Sequence, residues 1–230
     1  MDLSKRLKWI IEKLDKCDVI VDVGTDHGYI PIELIKRNFV KKAIATDINK
    51  DPLKKAGINA SLDGVSSKID LRLGGGLAPL NKGEAQGVII AGMGGNLIRD
   101  ILEADLDKVK AFDYLILQPA QNPEVLREYL YTHDYEIIDE DLCLDEGKYY
   151  EIFKVKYKKG DYIALESIYY EISPMMLNKK VPLLKEYIQS KVDKAQTVID
   201  FIKDDTEHAI NRKNELKEKI SKMENMLKVL

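Results

Sequence analysis

Residues 19–31, VIVDVGTDHGYIP, concentrate groups able to do chemistry. A β-branched run ends in Asp22, a tight loop follows with Gly24, Thr25, Asp26, His27 and Gly28, and an apolar segment of helical period begins at Tyr29. Glycines at such a point let the backbone approach a ligand at the carboxyl edge of a sheet, where open α/β sheets hold cofactors. The spacing is G-T-D-H-G, and a dinucleotide fingerprint would place a second glycine where Asp26 stands. A carboxylate there repels a diphosphate and favours a ligand carrying positive charge. S-adenosylmethionine carries two such groups, an ammonium and a sulfonium. A second acid, Asp47 in IATDIN, closes another apolar run 25 residues beyond Asp22. Such an acid is the usual acceptor for the two hydroxyls of an adenosine ribose, without choosing among adenosine cofactors.

Two more glycine clusters, LGGGL (Gly74, Gly75, Gly76) and AGMGG (Gly92, Gly94, Gly95), also follow short apolar runs. Four successive strand ends therefore aim permissive backbone or acid at one edge. The string LILQPAQNPEVL brings Gln118, Pro119, Gln121 and Asn122 to that edge, and amides offer the donors and acceptors that reading a base requires. Each feature also has a plainer role. A glycine closes a turn, Asp22 caps one, His27 sits at the surface, Tyr29 packs in a core, and Asn122 before Pro123 caps a helix. Cys17 and Cys143 read as buried thiols without a role.

The elements that must position these residues are short. Apolar runs at 19–23, 42–46, 69–73, 87–91, 114–117, 136–144 and 149–157 read as strands, and segments of helical period at 30–37, 52–63, 96–106 and 123–133 read as helices. This alternation predicts a parallel sheet with helices on both faces. The last two runs are joined only by Asp145-Glu-Gly-Lys148, which suits a hairpin, so the expected sheet has five parallel strands and a final antiparallel pair. From about Asn178 the chain is Lys/Glu-rich. Leu184, Ile188, Val192, Ala195, Ile199 and Ile202 mark one stripe, and Ile210, Leu216, Ile220, Met223 and Leu227 another, interrupted at KDDTE 203–207. Two helices in an antiparallel hairpin resembling a short coiled coil are predicted there. The expected domains are 1–160 and 161–230.

Composition narrows the function classes. Two cysteines and His27, His133 and His208, far apart in sequence, build neither a disulfide framework nor a zinc site, so a reducing, cytoplasmic setting without metal is expected. No apolar run approaches the roughly 18 residues that span a bilayer. The 36 basic and 39 acidic side chains give a net charge of −3, against a globally basic nucleic-acid binder. Residues 1–160 hold 24 basic and 27 acidic side chains and residues 161–230 hold 12 of each, so part of the acidity lies in the glycine loops, where a cationic cofactor would use it. Any RNA must meet local patches, for which Lys36, Arg37, Lys41 and Lys42, the lysines of 154–159, and Lys179, Lys180, Lys185, Lys191 and Lys194 are candidates.

DVGTDHGYIPIEL, ATDI, IAGMGG, LILQP and EGKYYEI, in this order and followed by a helical tail, resemble the bacterial tRNA adenine-N1 methyltransferase family that modifies adenosine 22 in the D-arm. The resemblance covers nearly the whole chain. It implies a class I S-adenosylmethionine-dependent enzyme with a Rossmann-like sheet of seven strands and a C-terminal coiled-coil domain. Position by position, it places Asp22, Gly24, Asp26, His27 and Gly28 in the first cofactor motif, and implies cofactor contacts at Asp22, Gly24, Thr25 and Gly28, at Asp47 and Ile48 on the ribose-binding strand end, and at Gly92 and Met93 beside the methyl-transfer centre. Arg6, in an N-terminal helix over the cofactor, would meet the methionine carboxylate. One departure stands out: such enzymes commonly carry Asp or Asn where this chain has Gly75, leaving adenine to backbone groups around Gly75 and Gly76 and predicting weaker cofactor binding than in relatives.

Adenine N1 already has a free lone pair, so transfer depends on in-line positioning more than on a base. The expected catalytic residues are Asp26, stabilising the charge that develops on the methylated base, and His27, orienting Asp26 or the base. Tyr29, Gln118 and Asn122 would hold an unpaired or flipped nucleotide. Competing readings are a small-molecule methyltransferase, which would share the cofactor residues, a non-catalytic RNA-binding adaptor, and a nicotinamide oxidoreductase, whose glycine spacing Asp26 breaks. The oligomeric state is open between a monomer, which is favoured, and a dimer formed through the tail stripes.

Overall fold

The computed structural model describes residues 3–160, 162–204 and 206–230. Seven strands form one sheet: β1 Cys17–Val23, β2 Val40–Asp47, β3 Ile69–Leu73, β4 Gly87–Gly94, β5 Tyr114–Gln121, β6 Tyr135–Asp145 and β7 Lys148–Tyr157, in the order β3-β2-β1-β4-β5-β7-β6. The first five are parallel. The expected final pair is antiparallel, and β7, not β6, lies against β5, also antiparallel. The tight turn at Glu146-Gly147 returns the chain at once, both residues at positive φ, so β7 inserts between β5 and β6 and only β7 runs against the rest.

Helices α1 Lys5–Glu12, α2 Tyr29–Lys36, α3 Lys50–Leu62, α4 Gly95–Ala104, α5 Leu106–Val109 and α6 Pro123–Thr132 complete the first unit. Alternate residues of the central strands enter two cores. Val21, Val23, Val88, Ile90, Leu115 and Leu117 face Ile98 and Leu102 of α4 and Leu126 and Leu130 of α6. Ile20, Ile89 and Ile116 face Ile10 and Ile11 of α1 and Ile32, Leu34 and Ile35 of α2. Burial on both faces explains why these strands are nearly continuous in Val and Ile. Under α6 an unanticipated ionic cluster is fully enclosed: the Arg127 guanidinium donates from Nε to Glu140 at 2.7 Å and from Nη2 to Glu151, and lies over the Phe153 ring.

The chain divides into compact units between Ala164 and Leu165. The second unit contains α7 Ser167–Glu171, α8 Pro174–Lys179, α9 Leu184–Phe201 and α10 Glu207–Val229. Helices α9 and α10 pack together, and Lys180 Nζ, just before α9, donates to the Val229 carbonyl at the end of α10, an antiparallel arrangement. The buried row of α10 is Ala209, Leu216, Met223 and Met226. The expected stripe is thus displaced at its start: Ile210 is exposed and Ala209 takes its place, because only Ala209 lies whole seven-residue steps before Leu216 and Met223. Glu171 of α7 bridges the pair, accepting from Lys191 at 3.2 Å and Lys219 at 2.6 Å, and these cations hold its carboxyl below the usual range despite burial.

Candidate functional site

The site forms where β1 to β5 end. Parallel pairing sets Asp22 beside Ala45 on one side and Ile89 on the other, and brings Asp47 level with Leu73. The loop after β1 is tied to β2: the Gly24 and Thr25 amides both donate to the Thr46 carbonyl, at 2.8 and 2.9 Å. The loop after β3 is tied in turn, Gly74 N–H to the Asp47 carbonyl at 2.9 Å. At the end of β4 the register shifts between Ala91, Met93 and Gly94, and Gly92 takes φ +79°. A bulge of this kind re-aims a strand end, here bringing the Met93 side chain over Gly24. A Cβ on Gly24 would stand 2.4 Å from Met93 Cε, and φ +73° there strains any other residue independently.

Two recesses meet at Gly24, Ala91 and Gly92. One, of about 570 Å³, is lined by Asp47, Ile48, Gly75, Gly76 and Met93 together with Leu97 and Ile101 of α4. The other, of about 460 Å³, is lined by Arg6, Asp22, Asp26 and Tyr29. Both buried acids sit at strand ends, with no ion pair to either among the described residues. Burial lifts the Asp22 carboxyl to a pKa of about 6, and the negative charge of Asp47 acts in the same direction. Asp47 Oδ1 accepts from Asn49 N–H at 2.7 Å, leaving its second oxygen for a ligand. Thr46 Oγ1, close by in sequence, is buried with no hydrogen-bond partner among the described residues. Buried acid without a cation, an orphaned hydroxyl and a backbone cradle lined by glycine suit a cationic adenosine ligand. Asp22 and Asp26 flank the recess that would take the charged end, and Asp47 with the Gly75-Gly76 backbone lines the one that would take the nucleoside.

The remaining expected residues are placed as follows. Thr25 is buried behind the loop. His27, at φ +61°, holds its Nε2 3.3 Å from Asp26 Oδ1 and stacks on Tyr29 with ring centroids 5.2 Å apart. Asp26 stands at the mouth with its side chain 74% exposed. Gly28 lines neither recess. It caps α2 at φ +70° and lies where a Cβ would meet Ala56 at 3.0 Å, a local packing need. Two expectations for the acceptor edge are corrected. β5 continues through Gln121, so Gln118 is not in a loop but fully buried, its Oε1 accepting from Arg6 Nη1 at 2.6 Å and its Nε2 donating to the Pro119 carbonyl at 2.7 Å. Asn122 occupies the N-cap position of α6 yet caps nothing with its side chain, because its backbone is left-handed, at φ 53° and ψ 50°. Its amide is exposed beside the site.

Some contributors carried no local signal. Asn59 of α3 donates to the His27 carbonyl at 2.9 Å and holds the loop from behind. Gly95, where a Cβ would stand 2.1 Å from the Asn122 carbonyl, lets α4 start against the strand-five loop. The apolar face of α4 was the available clue to Leu97 and Ile101 as lining residues. The basic patches are compensated in part: Lys36 pairs with Asp63, Arg37 with Glu33, Lys41 with Asp18, Lys154 with Asp15, Lys158 with Glu136 and Lys191 with Glu171. Lys42, Lys156, Lys159, Lys185 and Lys194 are exposed. None of these five has an ion pair among the described residues.

Comparison with known proteins agrees with this geometry. A family model described as TrmK, tRNA (adenine(22)-N(1))-methyltransferase, matches residues 20–225. The tRNA (adenine(22)-N(1))-methyltransferase of Bacillus subtilis is 34% identical, over 100% of this chain and 98% of the relative. The crystal structure of the B. subtilis m1A22 tRNA methyltransferase TrmK superposes with a TM-score of 0.85 at 32% identity, covering 98% of this chain and 99% of that one. A Streptococcus pneumoniae protein solved in complex with S-adenosyl-L-methionine superposes at 0.86, with 30% identity and coverage of 98% and 100%. With the family match spanning most of the chain and the strand-end site intact, the chain belongs to the TrmK family of tRNA (adenine(22)-N(1))-methyltransferases.

Proposed function

We propose that this protein transfers a methyl group from S-adenosylmethionine to N1 of adenosine 22 in tRNA. The observation that carries the reading is the pair of buried acids, Asp22 and Asp47, at adjacent parallel strand ends and with no ion pair among the described residues, in a chain of this family. When bound, the cofactor supplies an electrophilic methyl on a sulfonium. The chain's own residues bind and orient. Asp47 accepts from the ribose, Asp22 faces the cationic end, Arg6 faces its carboxylate, and Ile48, Leu97 and Ile101 enclose the adenine. The N1 edge is hidden in a base pair, so the nucleotide enters unpaired. Asp26 stabilises the positive charge that forms on the base once the base covers it from solvent, and His27, held between Asp26 and Tyr29, orients that carboxylate. The exposed Asn122 amide contacts the base edge.

Residues 1–164 form the cofactor-binding and transfer domain, and the helical unit grips the RNA together with the uncompensated lysines. Binding through local patches on a chain of net negative charge is moderate and salt-sensitive. The reading places the protein in the cytoplasm, with a monomer favoured over a dimer. Among the described residues no helix is long and apolar enough to cross a membrane. The test is incubation with unmodified tRNA and labelled cofactor, followed by mapping of the methylated nucleotide. Label at N1 of adenosine 22 is expected. Label on a small molecule alone, or cofactor binding without transfer, would replace this reading with the other methyltransferase or the adaptor.

A further inference from the structure

The Arg6 guanidinium is half-buried, lines the recess that contains Asp22 and Asp26, and approaches the strand-four bulge, where a Cβ on Gly92 would lie 3.7 Å from its Nη1. Its helix is tethered by the Arg6 backbone N–H, which donates to Asp145 Oδ2 at 3.1 Å, and its side chain lies over the Tyr150 ring at 5.4 Å. No carboxylate pairs with the guanidinium among the described residues. What holds it is a neutral amide. Gln118 Oε1 accepts from Nη1 at 2.6 Å, and Gln118 itself is fixed by complete burial, by pairing of its backbone opposite Ala91, and by its own bond to the Pro119 carbonyl.

A carboxylate at position 118 would hold the guanidinium more firmly, since charge-assisted bonds are stronger, but it would also cancel the charge. An apolar residue would leave the long side chain free among its rotamers. An amide is the group that fixes an arginine while leaving its positive charge uncommitted. We infer that Gln118 is a positioning residue for cofactor selection: it aims an un-neutralised Arg6 at the carboxylate on the amino-acid end of the cofactor, and thereby sets preference for ligands that carry that carboxylate. The inference rests on the reading of Arg6 given above, and it moves Gln118 from the base to the cofactor.

Calorimetry on the full chain with two ligands tests it: S-adenosylhomocysteine, which has the carboxylate, and 5′-methylthioadenosine, which lacks the amino-acid end. Hydrogen bonds to charged groups contribute about 1.5–3 kcal/mol, so Gln118→Glu should weaken S-adenosylhomocysteine about tenfold to a hundredfold while leaving 5′-methylthioadenosine within about twofold. Gln118→Leu should show the same selectivity with a smaller loss, and neither change should add to Arg6→Ala. Equal loss of both ligands would mark a merely structural role, and undiminished S-adenosylhomocysteine binding in Gln118→Glu would refute the charge argument; either overturns the inference and leaves the methyltransferase reading standing. If Gln118→Glu fails to fold, the selectivity of Gln118→Leu decides alone. A wild-type protein that binds neither ligand overturns both.

Discussion

Replacing Asp22 with Asn removes a charge from a site 6% exposed without changing the shape of the side chain. The carboxyl is lifted from its ordinary 3.8 to about 6, chiefly by burial. A raised acid binds more protons in the fold than in the unfolded chain between those values, so its contribution makes stability fall as pH rises from about 4 to 6 and stay low above. The free-energy cost of ionised Asp22 is about 3 kcal/mol at pH 7.5 and falls below about 1 kcal/mol at pH 4, where the folded state is protonated and the unfolded chain only partly ionised. A neutral amide in the same place escapes the cost. At roughly 2–4 °C per kcal/mol for a chain of this size, Asp22→Asn should raise the Tm of the cofactor-free protein by up to about 6–12 °C at pH 7.5, with the gain nearly gone at pH 4. The same substitution should weaken S-adenosylmethionine at least about tenfold, because the charge that burdens the free fold is the one that meets the cationic ligand. Wild-type affinity should accordingly drop about tenfold per pH unit below 6. Thermal unfolding at the two pH values with parallel calorimetry checks all three. A variant that melts no higher than wild type at pH 7.5, or gains equally at both pH values, would refute the reasoning.

Four other substitutions probe separate parts of the molecule. Asp26→Asn should retain cofactor affinity and lose most turnover with tRNA, and loss of both together in binding and rate measurements would assign Asp26 to the cofactor. Gly24→Ala adds a Cβ at φ +73°, a strain of about 1–3 kcal/mol, and displaces the flexible end of Met93, whose Cε lies 2.4 Å away, so cofactor affinity measured by calorimetry should fall about tenfold. Gly75→Asp meets only Ile48 Cδ1 at 3.7 Å and has no positive φ to oppose it, so the new carboxylate should tighten cofactor binding; unchanged or weaker affinity would count against the adenine reading. Arg127→Met leaves Glu140 and Glu151 buried without their cation and should cost about 3–5 kcal/mol in denaturant unfolding.

Much of the architecture follows from local pattern. Strands such as 87–90, GVII, and 115–117, LIL, are apolar without alternation because both faces are buried, and the glycine loops announce themselves because φ near +70° at Gly24, Gly28 and Gly92 favours glycine. Asp22 and Asp47 are legible as site residues for the same reason: strand position and parallel topology together assign them to one edge. Gln118 misleads because the end of a strand cannot be told from the start of a loop when the next residue is proline, and burial of the amide depends on an arginine 112 residues away. Asn122 carries a helix-capping signature that its left-handed backbone leaves unused. The Arg127 cluster is invisible in the sequence, since three charged residues on α6, β6 and β7 converge only when β7 inserts beside β5.

Residue order alone therefore determined the strand and helix alternation, the edge at which chemistry occurs and the class of ligand, because backbone permission and hydrophobic period are local properties. Which side chains are available there was decided by tertiary structure. Charge compensation, burial and hydrogen-bond occupancy are sums over neighbours distant in the chain: they neutralised part of the basic patches, turned the Gln118 amide toward Arg6, and left Asp22 at the floor of the site with no ion pair among the described residues.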